Sequence, residues 1–535
     1  MALFSMPAGA SAFGPLSSLG PPGAGSGQIG YPTGVAVGPN GRVYVVDYEN
    51  NRVSVFSPSG QFILAFGKSV RPSGGNTCTA ATGCQKGVGD GSAGALWGPI
   101  GLTIDSAGAV YVTAGNGYRV DVFSAEGEFI RAFGKGVKPG GGNVCTTATG
   151  CQQGTGDYSA GSLTVPLGIA VDSSGLLYVT TVAYRVDVFS RDGSFVRAFG
   201  KGVNPAGGDT CTTATGCQQG KEFSSAGGMS LPYGIAVGSG GLVAVGDYGN
   251  RRIDIFGTGG NFVRAFGRGV NPATDTAAYG VCTAATGCRA GTEGSGAGAV
   301  TGGVGMAFDA QGHVLAADNS NNRVSEFGSD GSFIRAFGEG VINGEAAFQV
   351  CTTATGCRGG LAGVSSGSLG RVFAVATDCR GAIYASAWSQ GASALQVKRF
   401  GEPGTPLTPC PPPDSAAAGG SAGGAFAGAF DEGRPRTAKP SIKVELNTGA
   451  GTAALIVIVS NPGILTLKGK GIRKVIRHAK RPGLIELLVM PKKALKRKLQ
   501  ARGKAAVKFT LAFKADNGAS VTQAKAIGLK MVSPF

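Results

Sequence analysis

Histidine is almost absent from this sequence, whose 535 residues include only His313 and His478. A metal or acid–base site that needs several histidines is therefore excluded, and we expect no metal, no cofactor and no catalytic residue. There is also no run of eighteen apolar residues, so the sequence predicts no transmembrane anchor. Charged residues account for only 15%, whereas 96 residues are glycine, a composition typical of a turn-rich, all-β protein.

The first residues lack the features of a secretion signal. The segment MALFSMPAGASAFG has no basic start and no continuous apolar core. Twelve cysteines, an even number, nevertheless indicate an oxidising compartment. We therefore expect an extracellular or cell-surface protein whose signal has been removed or whose chain start is misassigned. A cytosolic protein with reduced thiols is the alternative.

The net charge of +17 belongs to the C-terminal region alone. Residues 438–535 contain 20 Lys and Arg but only Glu445, Glu486 and Asp516 as acids, and the preceding 437 residues are neutral. The long neutral region is therefore not expected to attract nucleic acid through its charge, whereas the C-terminal region is predicted to attract polyanions.

A sixteen-residue segment occurs five times at intervals of 66 to 71 residues. Each copy follows an apolar segment, a Gly turn and a second apolar segment, as in GVAVGPNGRVYVVDYENN (34–51). This pattern predicts four short strands per copy, the first buried on both sides and the later ones alternating. The five copies are RVSVFSPSGQFILAFG (52–67), RVDVFSAEGEFIRAFG (119–134), RVDVFSRDGSFVRAFG (185–200), RIDIFGTGGNFVRAFG (252–267) and RVSEFGSDGSFIRAFG (323–338).

The pattern resembles the NHL repeat, with its Pro-x-Gly-hydrophobic start, Gly turn, Tyr-Val-x-Asp, Asn-Arg and terminal Phe-Gly. The resemblance covers roughly residues 11–401 and implies an all-β, six-bladed β-propeller. A sixth, degenerate copy starts near Val372 and lacks its outermost strand. Ser11-Ala12-Phe13-Gly14 resembles the Ala-Phe-Gly end of the other copies, and we expect it to complete the sixth blade and close the ring. The Pro-x-Gly start, missing from the fifth copy, occurs at Pro32/Gly34, Pro99/Gly101, Pro166/Gly168 and Pro232/Gly234.

Ten cysteines lie in five copies of one motif, CTAATGC or CTTATGC, within insertions of about 25 residues that the ordinary repeat of about forty residues lacks. Zinc ligands usually lie two to four residues apart and need a second pair or a histidine. Five local disulfides are therefore the preferred interpretation, each restraining the unfolded chain by about 2–2.5 kcal/mol. The predicted pairs are Cys78–Cys84, Cys145–Cys151, Cys211–Cys217, Cys282–Cys288, Cys351–Cys357 and, as a sixth, Cys379–Cys410.

Strand order places the five insertions on the same face as the turns that follow the second strand of each copy. Three copies have an Asp five residues before an Arg in this turn, whereas copies two and three have Ala114 and Thr181, which excludes a symmetric metal ring. The charges either form a ring that faces a ligand, or each Asp caps its own turn and each Arg pairs locally. Trp97 and Trp388 are expected near the same face. The candidate ligand-binding residues are Asp47, Tyr48, Arg52, Tyr118, Arg119, Tyr184, Arg185, Asp247, Tyr248, Arg252, Asp318 and Arg323.

These features favour a monomeric, extracellular, non-enzymatic binding or scaffold protein whose propeller binds a protein or a glycan on this face. The alternative is an extracellular propeller enzyme, a lyase or hydrolase, with Asp47, Asp247 and Asp318 as a carboxylate site in the channel. Lyases and hydrolases among the propellers that this sequence resembles gather histidines and a metal in the channel, and that constellation is absent.

Residues 1–405 are thus predicted to form the propeller, 406–440 a flexible Pro/Gly/Ala-rich linker and 441–535 a basic β-sandwich-like domain of about six strands. The last resembles the basic, Ig-like β-domains appended to bacterial surface proteins. Its charge exceeds the usual range of about 2–8 for a small domain, which favours binding to an anionic cell-surface polymer or membrane surface over a merely solvated surface. Nucleic acid is a weaker candidate because no aromatic residues interleave the basic run. The candidate polyanion-binding residues, in a short predicted helix over 491–503, are Lys492, Lys493, Lys496, Arg497, Lys498 and Arg502.

Overall fold

The structure is a computed structural model that describes residues 13–221, 224–388 and 395–403. It also describes residues 441–447, 453–459, 463–479, 483–489, 491–492, 494–497, 504–515 and 520–530. The chain divides into two units, residues 1–420 and 421–535, and each is described by itself.

The N-terminal unit is a six-bladed β-propeller of antiparallel sheets, as the repeats predict. Blades 1 to 5 contain five strands each and blade 6 contains four. The first strand of each blade contacts the first strand of the next, and that of blade 6 contacts that of blade 1, so the six sheets close into a ring. The core consists of apolar layers between neighbouring blades.

The first three blades follow the same plan. Blade 1 contains β2 (Pro32–Val37), β3 (Val43–Asp47), β4 (Arg52–Phe56), β5 (Phe62–Phe66) and β6 (Thr77–Cys78). Blade 2 contains β7 (Pro99–Ile104), β8 (Val110–Ala114), β9 (Arg119–Phe123), β10 (Phe129–Phe133) and β11 (Val144–Cys145). Blade 3 contains β12 (Pro166–Val171), β13 (Leu177–Thr181), β14 (Arg185–Phe189), β15 (Phe195–Phe199) and β16 (Thr210–Cys211).

Blade 4 follows the same plan, whereas blade 5 has a 3-10 turn between its second and third strands and blade 6 is completed by the N-terminal strand. Blade 4 contains β17 (Pro232–Val237), β18 (Leu242–Asp247), β19 (Arg252–Gly257), β20 (Phe262–Arg268) and β21 (Tyr279–Cys282). Blade 5 contains β22 (Gly303–Phe308), β23 (Val314–Asp318), a 3-10 turn (Asn319–Asn321), β24 (Arg323–Phe327), β25 (Phe333–Glu339) and β26 (Phe348–Cys351). Blade 6 contains β27 (Arg371–Thr377), β28 (Ile383–Trp388), β29 (Gln396–Gly401) and the N-terminal strand β1 (Gly14–Leu19).

The N-terminal strand closes the ring as predicted, but from a different segment. Leu19 of β1 pairs with Val397, the position at which Phe66 pairs with Val53 in blade 1. The counterpart of Ala-Phe-Gly is therefore Ser18-Leu19-Gly20, six residues after the segment that the sequence resemblance selected. Leu19 is only 2% exposed because it fills the apolar layer between blades 6 and 1. A leucine can take the place of the phenylalanine because the layer requires an apolar side chain rather than a particular ring.

The fifth strand of blades 1 to 5 is an addition to the four predicted strands, and it is formed by the insertion itself. In blade 1, Cys78 pairs with Ala65, and its side chain is buried against Ala65 and Val70. Equivalent clusters occur in blades 2 to 5. The small Ala of Ala-Phe-Gly leaves room for the sulfur atoms, so the insertion covers the outer edge of the blade.

Each insertion contains the disulfide that its motif predicts. All five local pairs are present, with Cα–Cα distances of 5.3–5.4 Å. We refer to the segment from the first to the second cysteine of each pair as a cysteine ring. Cys379 is also disulfide-bonded, but Cys410, its predicted partner, lies outside the described residues. Blade 6 has no cysteine ring, because only ten residues separate Gly20 from Tyr31 at the start of blade 1.

The insertions lie on the same face as the turns between the second and third strands, as the strand order predicts. In blade 1 the amide of Gly87 in the insertion donates to the carbonyl oxygen of Asn50 in the turn. Blades 2 to 5 contain the equivalent bond, from Gly154, Gly220, Gly291 and Gly360. We call this side of the propeller the loop face.

The described residues of the C-terminal unit form seven strands in two antiparallel sheets, ordered β30-β31-β34 and β33-β32-β35-β36. Residues 494–497 form one helical turn within the predicted basic segment. Among the described helices, none is both long enough and apolar enough to cross a membrane. The strands are β30 (Ser441–Asn447), β31 (Ala453–Val459), β32 (Gly463–Gly469), β33 (Val475–Ala479), β34 (Gly483–Val489), β35 (Lys504–Ala515) and β36 (Ser520–Lys530).

Candidate functional site

The five arginines at the start of the third strand in blades 1 to 5 are fully buried, with 0–1% exposure. Arg185 shows the arrangement: its guanidinium donates to the carbonyl oxygens of Tyr158, Ser159 and Ser162 in the insertion before the blade. It also donates to the carbonyl oxygen of Gln218 in the insertion after the blade. Each arginine thus has four backbone acceptors, which lie in two insertions for blades 2 to 5, whereas three of the acceptors of Arg52 in blade 1 lie in residues 24–28, between β1 and β2. The other four are Arg52, Arg119, Arg252 and Arg323.

A buried aspartate lies beside each of these arginines, but not always from the same position. In blades 1 and 5 it is the turn Asp, five residues before the Arg. In blades 2 and 3, where Ala114 and Thr181 occupy that position, it is an Asp two residues after the Arg. A buried guanidinium needs an anionic partner, and either neighbouring position supplies one. The pairs are Asp47–Arg52, Asp318–Arg323, Arg119–Asp121 and Arg185–Asp187, at 2.9–3.0 Å.

The expectation of ligand-facing charges is therefore corrected for eight residues. Their side chains are buried and satisfied by one another and by loop carbonyls, so they present no surface to a ligand. Local pairing, the other interpretation of the sequence, describes these contacts. The eight are Asp47, Arg52, Arg119, Arg185, Asp247, Arg252, Asp318 and Arg323.

Blade 4 contains both of the alternative carboxylates around a single arginine. Arg252 Nε lies 3.1 Å from Asp254 and 3.7 Å from Asp247. Burial and the adjacent Asp254 raise the pKa of Asp247 well above its ordinary value. Two buried carboxylates cannot both ionise beside one cation at low cost, so Asp247 retains a proton that it shares with Asp254.

We expect Asp247→Asn to stabilise the protein at pH 8 by about 1 kcal/mol or more, since one pKa unit corresponds to ~1.36 kcal/mol. The unfolded Asp ionises near its ordinary pKa of about 3.9, whereas the folded one keeps its proton to a higher pH. The free energy of unfolding therefore falls as pH rises between these two values, and Asn removes that loss. Thermal melts at pH 4 and pH 8 should show a gain only at pH 8.

Asp47→Asn is the matched control, because blade 1 has one carboxylate for one arginine: burial raises the pKa of Asp47 too, but no second carboxylate adds to that rise. It should destabilise the protein at pH 8 by leaving the buried Arg52 without an anion. Equal effects of the two substitutions would contradict the shared-proton interpretation of blade 4.

Blade 6 replaces the buried arginine with a lysine from a neighbouring position. Gln396 occupies the place of the arginine, and Lys398 donates instead to the carbonyl oxygens of Ser365 and Ser368. Burial lowers the pKa of Lys398 to about 8. Blades 2 to 6 therefore bind the preceding insertion through a buried cation, and blade 1 binds residues 24–28 in the same way.

The central channel is lined by glycine and mostly apolar side chains of the six first strands, and by the polar side chains of Thr33 and Tyr233. The Gly of Pro-x-Gly is required there, because a Cβ atom on Gly101 would lie 2.6 Å from the carbonyl oxygen of Leu167 in the next blade. Among the described residues that line the channel there is no carboxylate, and the free space is about 70 Å³. The predicted alternative of a carboxylate site in the channel is therefore corrected: Asp47, Asp247 and Asp318 are in buried ion pairs on the loop face.

The four candidate tyrosines divide into two pairs. Tyr48 and Tyr248 directly follow the turn Asp, and they are 39% and 41% exposed. Tyr118 and Tyr184 immediately precede the buried arginines in a left-handed conformation, and they are half-buried. Only the first pair lies at the mouth of the channel.

Six aromatic side chains converge at that mouth, and we call them the aromatic mouth. Tyr31 is the centre, with ring centroids 5.3 Å from Phe373, 6.0 Å from Trp388 and 6.2 Å from Tyr48. The Arg371 guanidinium lies 5.4 Å from the Trp388 ring, a cation–π distance. The six are Tyr31, Tyr48, Tyr233, Tyr248, Phe373 and Trp388.

Two adjoining spaces make the aromatic mouth a site rather than a packed cluster. One, of about 400 Å³, lies between Tyr31, Tyr48, Tyr233 and Phe373. The other, of about 710 Å³, lies between Tyr248 and Trp388. Burial and the neighbouring tyrosines raise the pKa of Tyr233 to about 12, so its hydroxyl keeps its proton and can donate. Rings beside polar and charged groups, among them Glu49 and Arg371, suit a ligand with flat apolar faces and hydroxyl groups.

Sequence reasoning found Tyr48, Tyr248 and Trp388 but missed Tyr31, Tyr233 and Phe373. The signal was present, because Tyr233 is the x residue of its Pro-x-Gly motif and Phe373 occupies the same position in blade 6. Side chains at this position surround the channel entrance, where Thr33, Ile100 and Leu167 also lie.

The candidate polyanion-binding residues fall partly outside the described residues. Lys496 and Arg497 are exposed in the helical turn 494–497, and Lys492 is exposed just before it. Lys493, Lys498 and Arg502 lie outside the described residues.

Residues 30–56, which span the first three strands of blade 1, match the family described as the NHL repeat. The chain therefore contains an NHL repeat within a β-propeller. No curated protein matches the sequence.

The solved structures that this chain resembles share little sequence with it. A virginiamycin B lyase from Staphylococcus aureus is 11% identical, with 73% of this chain and 98% of that chain covered and a TM-score of 0.37. A gluconolactonase from Xanthomonas campestris is 12% identical, with 74% and 99% covered and a TM-score of 0.35. A protein of unknown function from Bacteroides thetaiotaomicron is 12% identical, with 73% of each chain covered and a TM-score of 0.40. At such identities and scores, the resemblance does not extend to activity.

Proposed function

We propose that this six-bladed propeller with its NHL repeat is an extracellular, non-enzymatic binding protein that holds a glycan at the aromatic mouth. The observation that carries the proposal is the convergence of six aromatic rings beside open spaces of about 400 and 710 Å³. The disulfides support an oxidising, extracellular setting.

A glycan suits this site better than a purely apolar ligand. A sugar ring has a flat face of C–H groups that packs on an aromatic ring, and hydroxyl groups that need polar partners. The polar residues that line the space beside Trp388 are Asn319, Ser320, Asn322 and Arg371. Amides and hydroxyls of this kind bind sugar hydroxyls without the cost of burying a charge.

The enzymatic alternative, a lyase or hydrolase, has less support. Its three proposed carboxylates are buried against arginines, and there is no carboxylate among the described residues that line the channel. A binding function needs neither a nucleophile nor a general base at the mouth.

The two tryptophans of the chain allow a direct test of the glycan proposal. Trp388 lines the mouth, whereas Trp97 precedes the first strand of blade 2 outside both spaces. In the full chain, Trp97→Phe leaves Trp388 as the reporter and Trp388→Phe leaves Trp97. Oligosaccharides that bind should change the fluorescence of the first variant alone.

Truncation of Trp388 should then weaken the binding itself. We expect Trp388→Ala to cost about 2 kcal/mol, roughly 30-fold in Kd, because a buried aromatic anchor carries a large part of a binding energy. Trp97→Ala is the matched control and should leave Kd unchanged. Failure of every oligosaccharide to perturb Trp388, together with a protein ligand that does perturb it, would replace the glycan by a protein partner.

We further propose that the C-terminal unit binds an anionic cell-surface polymer or membrane surface, since all of the net charge lies there and Lys492, Lys496 and Arg497 are exposed. Binding of the full chain to anionic vesicles should weaken steeply with salt, because the screening length is about 8 Å at physiological ionic strength. Replacing the five cations between 492 and 498 by Gln should remove most of the binding. Binding that is unchanged both by salt and by these substitutions would contradict this proposal.

A further inference from the structure

Three side chains that can bind a metal ion meet on blade 5, on the face opposite the loop face. His313 Nδ1 lies 2.9 Å from Asp309 Oδ2 and 3.1 Å from Glu326 Oε1. All three donor atoms lie within 4.8 Å of one another. The side chain of His313 is 35% exposed and that of Glu326 only 6% exposed, so the group opens to solvent on one side.

Blades 2 and 3 show which residues occupy the equivalent positions when these have only a structural role. In blade 2 the hydroxyl of Tyr111 donates to Asp105 Oδ2 at 3.2 Å, and Tyr111 is paired across the sheet with Val122. Blade 3 repeats this arrangement with Tyr178, Asp172 and Val188.

Blade 5 departs from this arrangement at three positions at once. Leu315 replaces the tyrosine, so Asp309 Oδ2 loses its hydroxyl partner. Glu326 replaces the valine that faces it, and His313 replaces Ala109 of blade 2. A structural turn needs none of these changes, and together they place one imidazole nitrogen and two carboxylate oxygens around one point.

The remaining oxygen atoms of both carboxylates are already held. Asp309 Oδ1 accepts the backbone amides of Gln311 and His313 at 2.9 and 2.7 Å. Glu326 Oε2 accepts Arg335 Nε at 2.7 Å. Each carboxylate is thus oriented with its second oxygen towards His313, which is how neighbouring groups orient metal ligands in proteins.

The distances also fit a metal ion. Bonds of ~2.1 Å at right angles, typical of nitrogen and oxygen ligands, separate adjacent donors by about 3.0 Å. Imidazole and carboxylate together suit Zn²⁺ and Mn²⁺. We propose that Asp309, His313 and Glu326 form a site for one divalent first-row metal ion on blade 5, with its remaining positions open to water.

Calorimetric titration of the full chain with Zn²⁺, and separately with Mn²⁺, tests this site. We expect one ion per chain, and at least tenfold weaker binding in His313→Ala and in Glu326→Val, which restores the valine of blades 2 and 3. Leu315→Tyr should also weaken binding by returning a hydroxyl to Asp309. Thermal melts in chelator identify any variant that fails to fold, and Glu326→Gln then replaces Glu326→Val.

His478→Ala is the matched control, because it removes the only other histidine of the chain. It should leave both stoichiometry and affinity unchanged. Absence of binding, or binding that survives loss of His313, would show that the three side chains form an ion-pair network only and would overturn the proposal.

Discussion

Replacing Arg185 by methionine is expected to lower the free energy of unfolding by about 3–5 kcal/mol, the usual cost of breaking a buried ion pair. The substitution leaves Asp187 as a buried charge without its cation. It also removes the donors to four carbonyl oxygens in two insertions. Thermal or denaturant unfolding measures the loss, and faster hydrogen exchange in both insertions should accompany it.

Lys201→Met is the matched control, because it removes a cation of the same blade from an exposed ion pair with Asp209 at 3.3 Å. Exposed pairs contribute about 0–1 kcal/mol, so this variant should unfold close to the parent. If Arg185→Met were equally mild, the buried arginine would not be what holds the insertions.

Deletion of residues 1–20 is the second large change, because it removes the whole of β1 from blade 6. The loss of buried Leu19 alone corresponds to about 2–5 kcal/mol, and each backbone hydrogen bond with β29 adds about 0.5–1.5 kcal/mol. The exposed edge of β29 should then pair with other molecules. We expect a lower melting temperature and association that increases with concentration, measured by light scattering.

Deletion of residues 1–12 retains β1 in full and is the control for this experiment. This shorter deletion should leave both the melting temperature and the state of association unchanged. A chain without residues 1–20 that stays monomeric and melts like the parent would mean that β1 does not hold the ring closed.

The blades could be predicted from the sequence because repetition makes a weak strand signal strong. Five copies with the same spacing identify the strands, the loop face and the disulfides, which all follow from local pattern. The closing strand was placed six residues early, because Ala12-Phe13-Gly14 imitates the end of a repeat. The register of β1 against β29 depends on which side chain fills the apolar layer between blades 6 and 1. A three-residue motif contains no information about that layer.

The site was harder to predict because its residues are distant in sequence. Tyr31, Tyr233 and Trp388 belong to three different blades and meet only because the ring closes. The charged residues that were candidates to face a ligand are instead buried. Their regular spacing is the mark of a structural role repeated in every blade, as the contacts of Arg185 illustrate.

The proposed metal site on blade 5 had one visible signal in the sequence. Glu326 stands in RVSEF at a position that is apolar in the other four copies. Its partner His313 lies thirteen residues earlier, and only the pairing of the two strands brings them together.

The cysteine rings have a consequence for how the propeller withstands proteolysis. The tip of every ring is exposed, at residues 80–82 in the first and at the equivalent positions in the others, and exposed tips are where proteases cut most readily. Each tip lies between two cysteines that are joined to each other. Hydrolysis at any of the five tips would therefore leave both new ends covalently connected, and a nicked propeller would keep every blade.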